Sequence, residues 1–93
     1  MGFKIKTCSH LKSLDIQNIK KDDSYTCAQC EKIGDTWVHL RTCQECGITL
    51  CCDSSPNKHA SNHYADDKHP VVISAEPNEK WAWCYEDKIM LKY

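Results

Sequence analysis

Residues 43–69 read CQECGITLCCDSSPNKHASNHYADDKH, and their reading decides how the chain folds. Within these twenty-seven residues lie a Cys-x-x-Cys pair (Cys43, Cys46), the adjacent Cys51 and Cys52, and then His59, His63 and His69. Thiolates and imidazoles at this density suit zinc, which takes four tetrahedral nitrogen and sulfur ligands in a structural site. One ion cannot use all of these donors, so the segment either holds one site with ligands to spare or divides itself between two. Upstream, Cys27-Ala-Gln-Cys30 offers the pair that the second arrangement needs.

The rest of the chain gives a reason to need metal. Ninety-three residues make one domain, 1–93, and at that size only roughly 60–65% of the unfolded surface can be buried. With a single Phe and a polar mean hydropathy of −0.62, an apolar core of ordinary strength is not expected without a staple. The eight cysteines are that staple, as disulfides or as metal ligands. An even count in a short chain is the usual sign of a secreted disulfide framework. Three features oppose it: the start MGFKIKTCSH lacks an apolar signal segment, two pairs have Cys-x-x-Cys spacing, and the histidines are interleaved with the cysteines. Metal is therefore preferred.

The chain has no run of ~18 apolar residues, so no membrane partner is expected and a reducing cytoplasm is the expected location. The formal charge of −1 becomes about −2 once seven thiolates bind three Zn²⁺. Neither value suits a nucleic-acid partner, whose electrostatic footprint would be basic. Lys4, Lys6, Lys12, Lys20 and Lys21 make the N-terminal quarter locally basic, as a solvated face.

Along the chain, Leu11, Leu14, Ile16 and Ile19 suggest a short loop or broken helical turn, followed by polar turn residues 20–26. TWVHLRT, 36–42, alternates as a strand feeding the Cys43–Cys46 knuckle, where Gly47 permits the turn and 48–50 return as a second strand. Ser55 as N-cap and Pro56 at the first helical position predict a helix that places His59 and His63 one turn apart on a shared face. Val71-Val72-Ile73 reads as a core strand and 76–80 as a turn. WAWCY alternates with Trp81, Trp83 and Tyr85 on one face and Ala82 and Cys84 on the other. The tail either extends this strand or adds a short edge. No internal repeat is visible.

The order Cys-x-His, Cys-x-x-Cys, Cys-x-x-Cys, Cys, His, His, His-Pro, Trp-Cys-Tyr resembles the UBP-type zinc finger, the ubiquitin-binding domain of ubiquitin-specific proteases and of a cytosolic histone deacetylase. The resemblance runs from Cys8 to about Asp87, and CCDSSPNKHASNHY looks like the small stand-alone prokaryotic members. It implies an α+β fold, a small twisted antiparallel sheet with one main helix and long metal-pinned loops, holding three Zn²⁺. Carried over by position, one zinc takes Cys27, Cys30, Cys51 and His59, and a second Cys43, Cys46, His63 and His69. The third takes Cys8, His10, Cys84 and Asp87, the last standing where the family usually has Cys. Asp is a legitimate zinc ligand at ~2.0–2.2 Å. Its neighbour Glu86 points to the other strand face. A Cys27/Cys30/Cys43/Cys46 ribbon is the alternative pairing, although its twelve-residue gap is shorter than the usual fifteen to twenty. Cys52 and His39 are left over; Cys52 reads as a small buried hydrophobe with no sequence neighbour that lowers its pKa.

Sites with four protein ligands leave no open coordination position for catalysis. The expectation is a monomeric binding module, not an enzyme. The resemblance further implies an aromatic pocket for a ubiquitin C-terminus, to which Trp83 and Tyr85 correspond. The carboxylate-clamping Arg of the family is replaced by Asp53, and like charge there argues against ordinary ubiquitin-tail binding. Arg41 can supply the missing guanidinium from the facing strand, or it can pair with Asp53 and close the site. Aromatic faces beside Asp53 also suit a cation. The partner is thus a protein or peptide terminus; the rival reading is a purely structural zinc domain within a larger assembly.

Overall fold

The computed structural model describes residues 8–21, 25–76 and 78–93. Lys4 and Lys6, and parts of the turns expected at 20–26 and 76–80, lie outside these. Five short strands, β1 (Leu40–Cys43), β2 (Thr49–Cys51), β3 (Val71–Ser74), β4 (Trp81–Cys84) and β5 (Ile89–Lys92), form one antiparallel sheet in the order β2-β1-β3-β4-β5. The tail residues thus make an edge strand. With α1 (Ser9–Lys12), a 3₁₀ turn at Ile16–Asn18, α2 (Ala28–Ile33) and α3 (His59–Asp67), the domain is α+β, and α3 is the longest helix.

β3 is buried along its whole length and sits between the two hairpins, β1–β2 and β4–β5. Its entry ties both hairpin turns together, since Gln44 N–H donates to Val71 O and Tyr85 N–H to Pro70 O (2.9 and 2.8 Å). Strand alternation decides what each face buries. Val71 and Ile73 of β3 and Ala82 and Cys84 of β4 pack with Cys8 and Leu11 into one core cluster. The other gathers Leu40, Leu50, Cys27, Cys30, Cys51 and Ala60. Five of these twelve buried residues are cysteines, so much of what would be core in a larger domain is ligand here.

Two boundaries differ from expectation. The first strand begins at Leu40, not Thr36, because the backbone ahead of it is bonded to side chains: Thr36 N–H donates to Asp35, Val38 N–H to Ser55 Oγ and Leu40 N–H to Glu76 Oε2. Ser55, buried and committed to Val38, is therefore not the cap of α3. The helix instead starts after Lys58, which turns the chain at φ 48°, and its His59 N–H donates to Cys51 Sγ at 3.2 Å. A cysteine performs the same service for α2, a helix the sequence reading did not anticipate: Cys27 Sγ accepts the N–H of Cys30, and Gly34 at φ 71° ends the helix.

The sheet also contains a repeat that sequence alone did not show. In Cys43-Gln-Glu-Cys46-Gly47, Gly47 N–H donates to Cys43 O, and Gly47 has φ 80°. Cys84-Tyr-Glu-Asp87-Lys88 makes the same turn, with Lys88 N–H on Cys84 O and φ 54°. Asp87 thus occupies the position of Cys46, and a lysine bears the left-handed backbone that glycine adopts without a Cβ penalty. Lys88→Gly is expected to stabilise the zinc-loaded protein by about 1 kcal/mol. An unchanged or lower thermal midpoint would show the lysine to be unstrained.

Candidate metal centres and an aromatic groove

The fold brings twelve donors into three groups: Cys27, Cys30, Cys51 and His59; Cys43, Cys46, His63 and His69; and Cys8, His10, Cys84 and Asp87. Within each group the four ligand atoms lie within 4.8 Å of one another. The ribbon pairing of Cys27 and Cys30 with Cys43 and Cys46 is not what the structure assembles. The first group unites the α2 start, the end of β2 and the α3 start. The second unites the β1–β2 turn, the middle of α3 and His69, two residues ahead of β3. The third joins α1 to the β4–β5 turn.

The geometry tests whether zinc fits. Tetrahedral zinc with Zn–S ≈ 2.3 Å and Zn–N ≈ 2.0–2.1 Å sets ligand atoms apart by ~3.8 Å (S to S), ~3.5 Å (S to N) and ~3.3 Å (N to N). In the first group His59 Nδ1 lies 3.3, 3.4 and 3.5 Å from Cys27, Cys30 and Cys51 Sγ, and Cys30 and Cys51 Sγ are 3.8 Å apart. In the second, Cys43 Sγ is 3.6 Å from His69 Nδ1, Cys46 Sγ is 3.4 Å from His63 Nε2, and the two ring nitrogens are 3.3 Å apart. These four distances in the first group and three in the second all match tetrahedron edges.

The third is less regular. Cys84 Sγ stands 3.6 Å from His10 Nδ1 and 3.8 Å from Asp87 Oδ2, but Cys8 Sγ and Asp87 Oδ2 are 2.7 Å apart, well inside the ~3.5 Å that a shared zinc would set. Its donors fit zinc in kind, with two sulfurs, one nitrogen and one oxygen. The carboxylate must draw away from Cys8 to share an ion.

Neighbouring groups orient these ligands as metal sites require. Asp67 Oδ2 lies 3.0 Å from His63 Nδ1, one helical turn away, which leaves Nε2 to face the cysteines. Asn57 donates to Cys30 Sγ and to Asp35, and Asp87 N–H donates to Cys84 Sγ. Burial, with the neighbouring Cys27 thiol, pushes Cys30 up to about 12; burial and the Asp87 contact push Cys8 up to about 11. Both are neutral thiols at pH 7 until a cation displaces their protons. Hydrogen bonds from Cys8 and His10 hold the Asp87 carboxyl below its usual range.

On the opposite face of β4 from Cys84, a groove of about 230 Å³ is lined by Trp81, Trp83, Tyr85, Arg41, Asp53 and Met90, with Cys52 and Ser54. The strand register explains the gathering: Trp83 lies opposite Val72 on β3 and Met90 on β5, and Arg41 opposite Ser74. The Arg41 guanidinium lies 4.5 Å over the Trp81 ring and donates from Nη1 to Leu40 O. Among the described residues no ion pair joins Arg41 to Asp53, so the groove is not closed by that contact. Tyr85 stacks on Tyr64 of α3 (5.4 Å) and meets Trp83 edge-on (6.4 Å). Its phenol is raised well above the usual range by burial and then by the Asp53 charge, with Arg41 opposing, so both charges are felt there.

Met90 was not singled out in the sequence, because the pairing of the tail had no local signal. Cys52 is buried but also lines the groove. Burial raises its thiol, yet the Ser54 backbone, the Ser55 hydroxyl and the Arg41 charge bring it down to about 7, which corrects the expectation that no sequence neighbour lowers it: two of the three causes lie two and three residues along the chain.

Comparison with known proteins agrees with this architecture. The family described as "Zn-finger in ubiquitin-hydrolases and other protein" matches residues 7–92. A Rhodopseudomonas palustris protein solved by solution NMR superposes with a TM-score of 0.80 at 38% identity, covering 96% of this chain and 84% of that one. The NAD-dependent deacetylase sir2A of Dictyostelium discoideum is 32% identical over 84 residues. That match takes in 84% of this chain and only 15% of the deacetylase. No helix among the described residues is long and apolar enough to cross a membrane. With a family match over nearly its whole length and three donor groups that support Zn²⁺ at up to three sites, the chain belongs to the UBP-type zinc fingers of ubiquitin hydrolases and other proteins.

Proposed function

We propose that this domain is a monomeric, cytoplasmic binding module, not an enzyme, and that its groove receives a peptide C-terminus or a ubiquitin-like tail. The observation that carries the reading is the placement of Arg41. Its guanidinium stands over Trp81 on the groove wall without a carboxylate partner among the described residues, while Trp81, Trp83 and Tyr85 supply flat apolar surface for a short backbone. A planar fork in that setting suits a terminal carboxylate. Asp53, at the position of the family's clamping Arg, makes the groove unlike one built for ordinary ubiquitin. A metal with four protein ligands adds no reactive position of its own.

Titration of the zinc-loaded protein with short peptides ending in Gly-Gly, and with ubiquitin, tests this through tryptophan fluorescence. The free acid is expected to bind and to perturb the emission of Trp81 and Trp83. Amidation of the peptide terminus, or Arg41→Gln, is expected to weaken binding about tenfold or more, the worth of one charge-assisted hydrogen bond. Acid and amide binding alike, or neither binding, would remove the reading. The second outcome would leave a structural domain within a larger assembly, the role favoured by the match to a small part of a longer deacetylase.

A further inference from the structure

The groove carries two opposite charges, Arg41 and Asp53, and no ion pair joins them among the described residues. The aromatic side chains of Trp81, Trp83 and Tyr85 line the same groove. Arg41 comes from β1 and Asp53 from the exposed turn after β2, so the charges are carried on separate elements. Arg41 already spends one face on Trp81 and one N–H on Leu40 O, which fixes its direction. Asp53 has no such anchor among the described side-chain contacts and is exposed. A receptor of this kind discriminates by charge pattern: it rewards a ligand bearing both signs and penalises one that leaves either charge desolvated and unmet. Glu79, whose carboxyl is held down by Ser74 and by the Arg41 charge, accepts from Ser74 Oγ at 2.5 Å and does not line the groove, so it does not substitute for Asp53.

We infer that the preferred ligand is a peptide C-terminus with a lysine or arginine in its last two positions, its carboxylate on Arg41 and its side-chain cation on Asp53 against the aromatic wall. This rests on the terminal-carboxylate reading above and narrows it to a class of sequence. Tyr85 and Trp83 contribute as π faces flanking the cation.

Calorimetry on the zinc-loaded protein separates the two levels. Four N-acetylated peptides are compared: lysine at the last or penultimate position, each matched by glutamine, all as free acids and as amides. At least one lysine acid is expected to bind about tenfold more tightly than its glutamine partner. Asp53→Asn, a near-isosteric change at an exposed turn, is expected to bring that pair within about twofold, by weakening the lysine acid and, as the like charge beside the carboxylate is lost, by modestly strengthening the glutamine acid. Equal affinities for lysine and glutamine acids, with amidation still weakening both, overturn the inference and leave the carboxylate reading in place. A lysine preference that survives Asp53→Asn also overturns it. Acids and amides binding alike, or no binding at all, overturn both.

Discussion

Removal of zinc by a strong chelator under reducing conditions is expected to abolish the fold, with loss of dispersed amide resonances and of the cooperative thermal transition. A domain of this length has about 5–14 kcal/mol of stability in all, whereas each structural zinc contributes an apparent ~10–16 kcal/mol at neutral pH. The core of the described residues gives the reason. Cys27, Cys30, Cys51 and Cys84 are completely buried and stand where a larger protein would place Leu or Val. Without an ion the first group is a cluster of thiols that packs poorly. The starts of α2 and α3 are also loosened, because Cys27 Sγ accepts the N–H of Cys30 in the first turn of α2 and Cys51 Sγ accepts the N–H of His59 at the start of α3. Acid acts in the same direction. The cysteine ligands must lose their protons to bind, so zinc retention weakens as pH falls and loading releases protons. The readouts are circular dichroism and amide dispersion before and after chelation, with refolding on return of zinc. A metal-free chain that kept its dispersion and a cooperative transition would show that apolar packing suffices.

The sequence made the metal ligands legible because ligand chemistry is local: Cys-x-x-Cys at 27–30 and 43–46 and His59/His63 at helical spacing declare themselves without a fold. Sorting the donors was not local. The residues left a ribbon of four cysteines open, and only the family's order separated Cys51 and His59 from His63 and His69. The strand ends and the start of α3 were misread for one physical reason. Propensity assigns Thr36–His39 to a strand and Ser55 to a cap, but Ser55 Oγ, Glu76 and Cys51 Sγ claim the backbone donors from a distance in sequence. The face shared by Trp81, Trp83 and Tyr85 followed from period-two alternation. That Met90 and Cys52 join it depended on β5 pairing with β4 and on the turn after β2, neither of which has a signal in the sequence.

Asp87 carries the other large expected effect. Two features set the third group apart from the others: an oxygen stands where they have a sulfur or a nitrogen, and the Cys8–Asp87 edge is short. It should be the weakest site and the first emptied. Yet the β4–β5 turn reproduces the β1–β2 knuckle with Asp87 in the place of Cys46, which argues that the carboxylate is a ligand and not a surface acid. Asp87→Ala is expected to lower the zinc content of the purified protein from three to two. The affinity of that site should fall by more than about 100-fold, beyond the 10–100-fold that even an outer-shell change costs. Amide shifts should concentrate in α1, the β4–β5 turn and the Leu11–Val71–Ile73 cluster, with the groups around His59 and His63 intact. Asp87→Cys, restoring a thiolate, is expected to hold three zincs more tightly than the parent through graded chelation, read by native mass spectrometry. Three zincs retained at equal affinity in Asp87→Ala would mean that Cys8, His10 and Cys84 suffice, and that Asp87 only accepts hydrogen bonds from them.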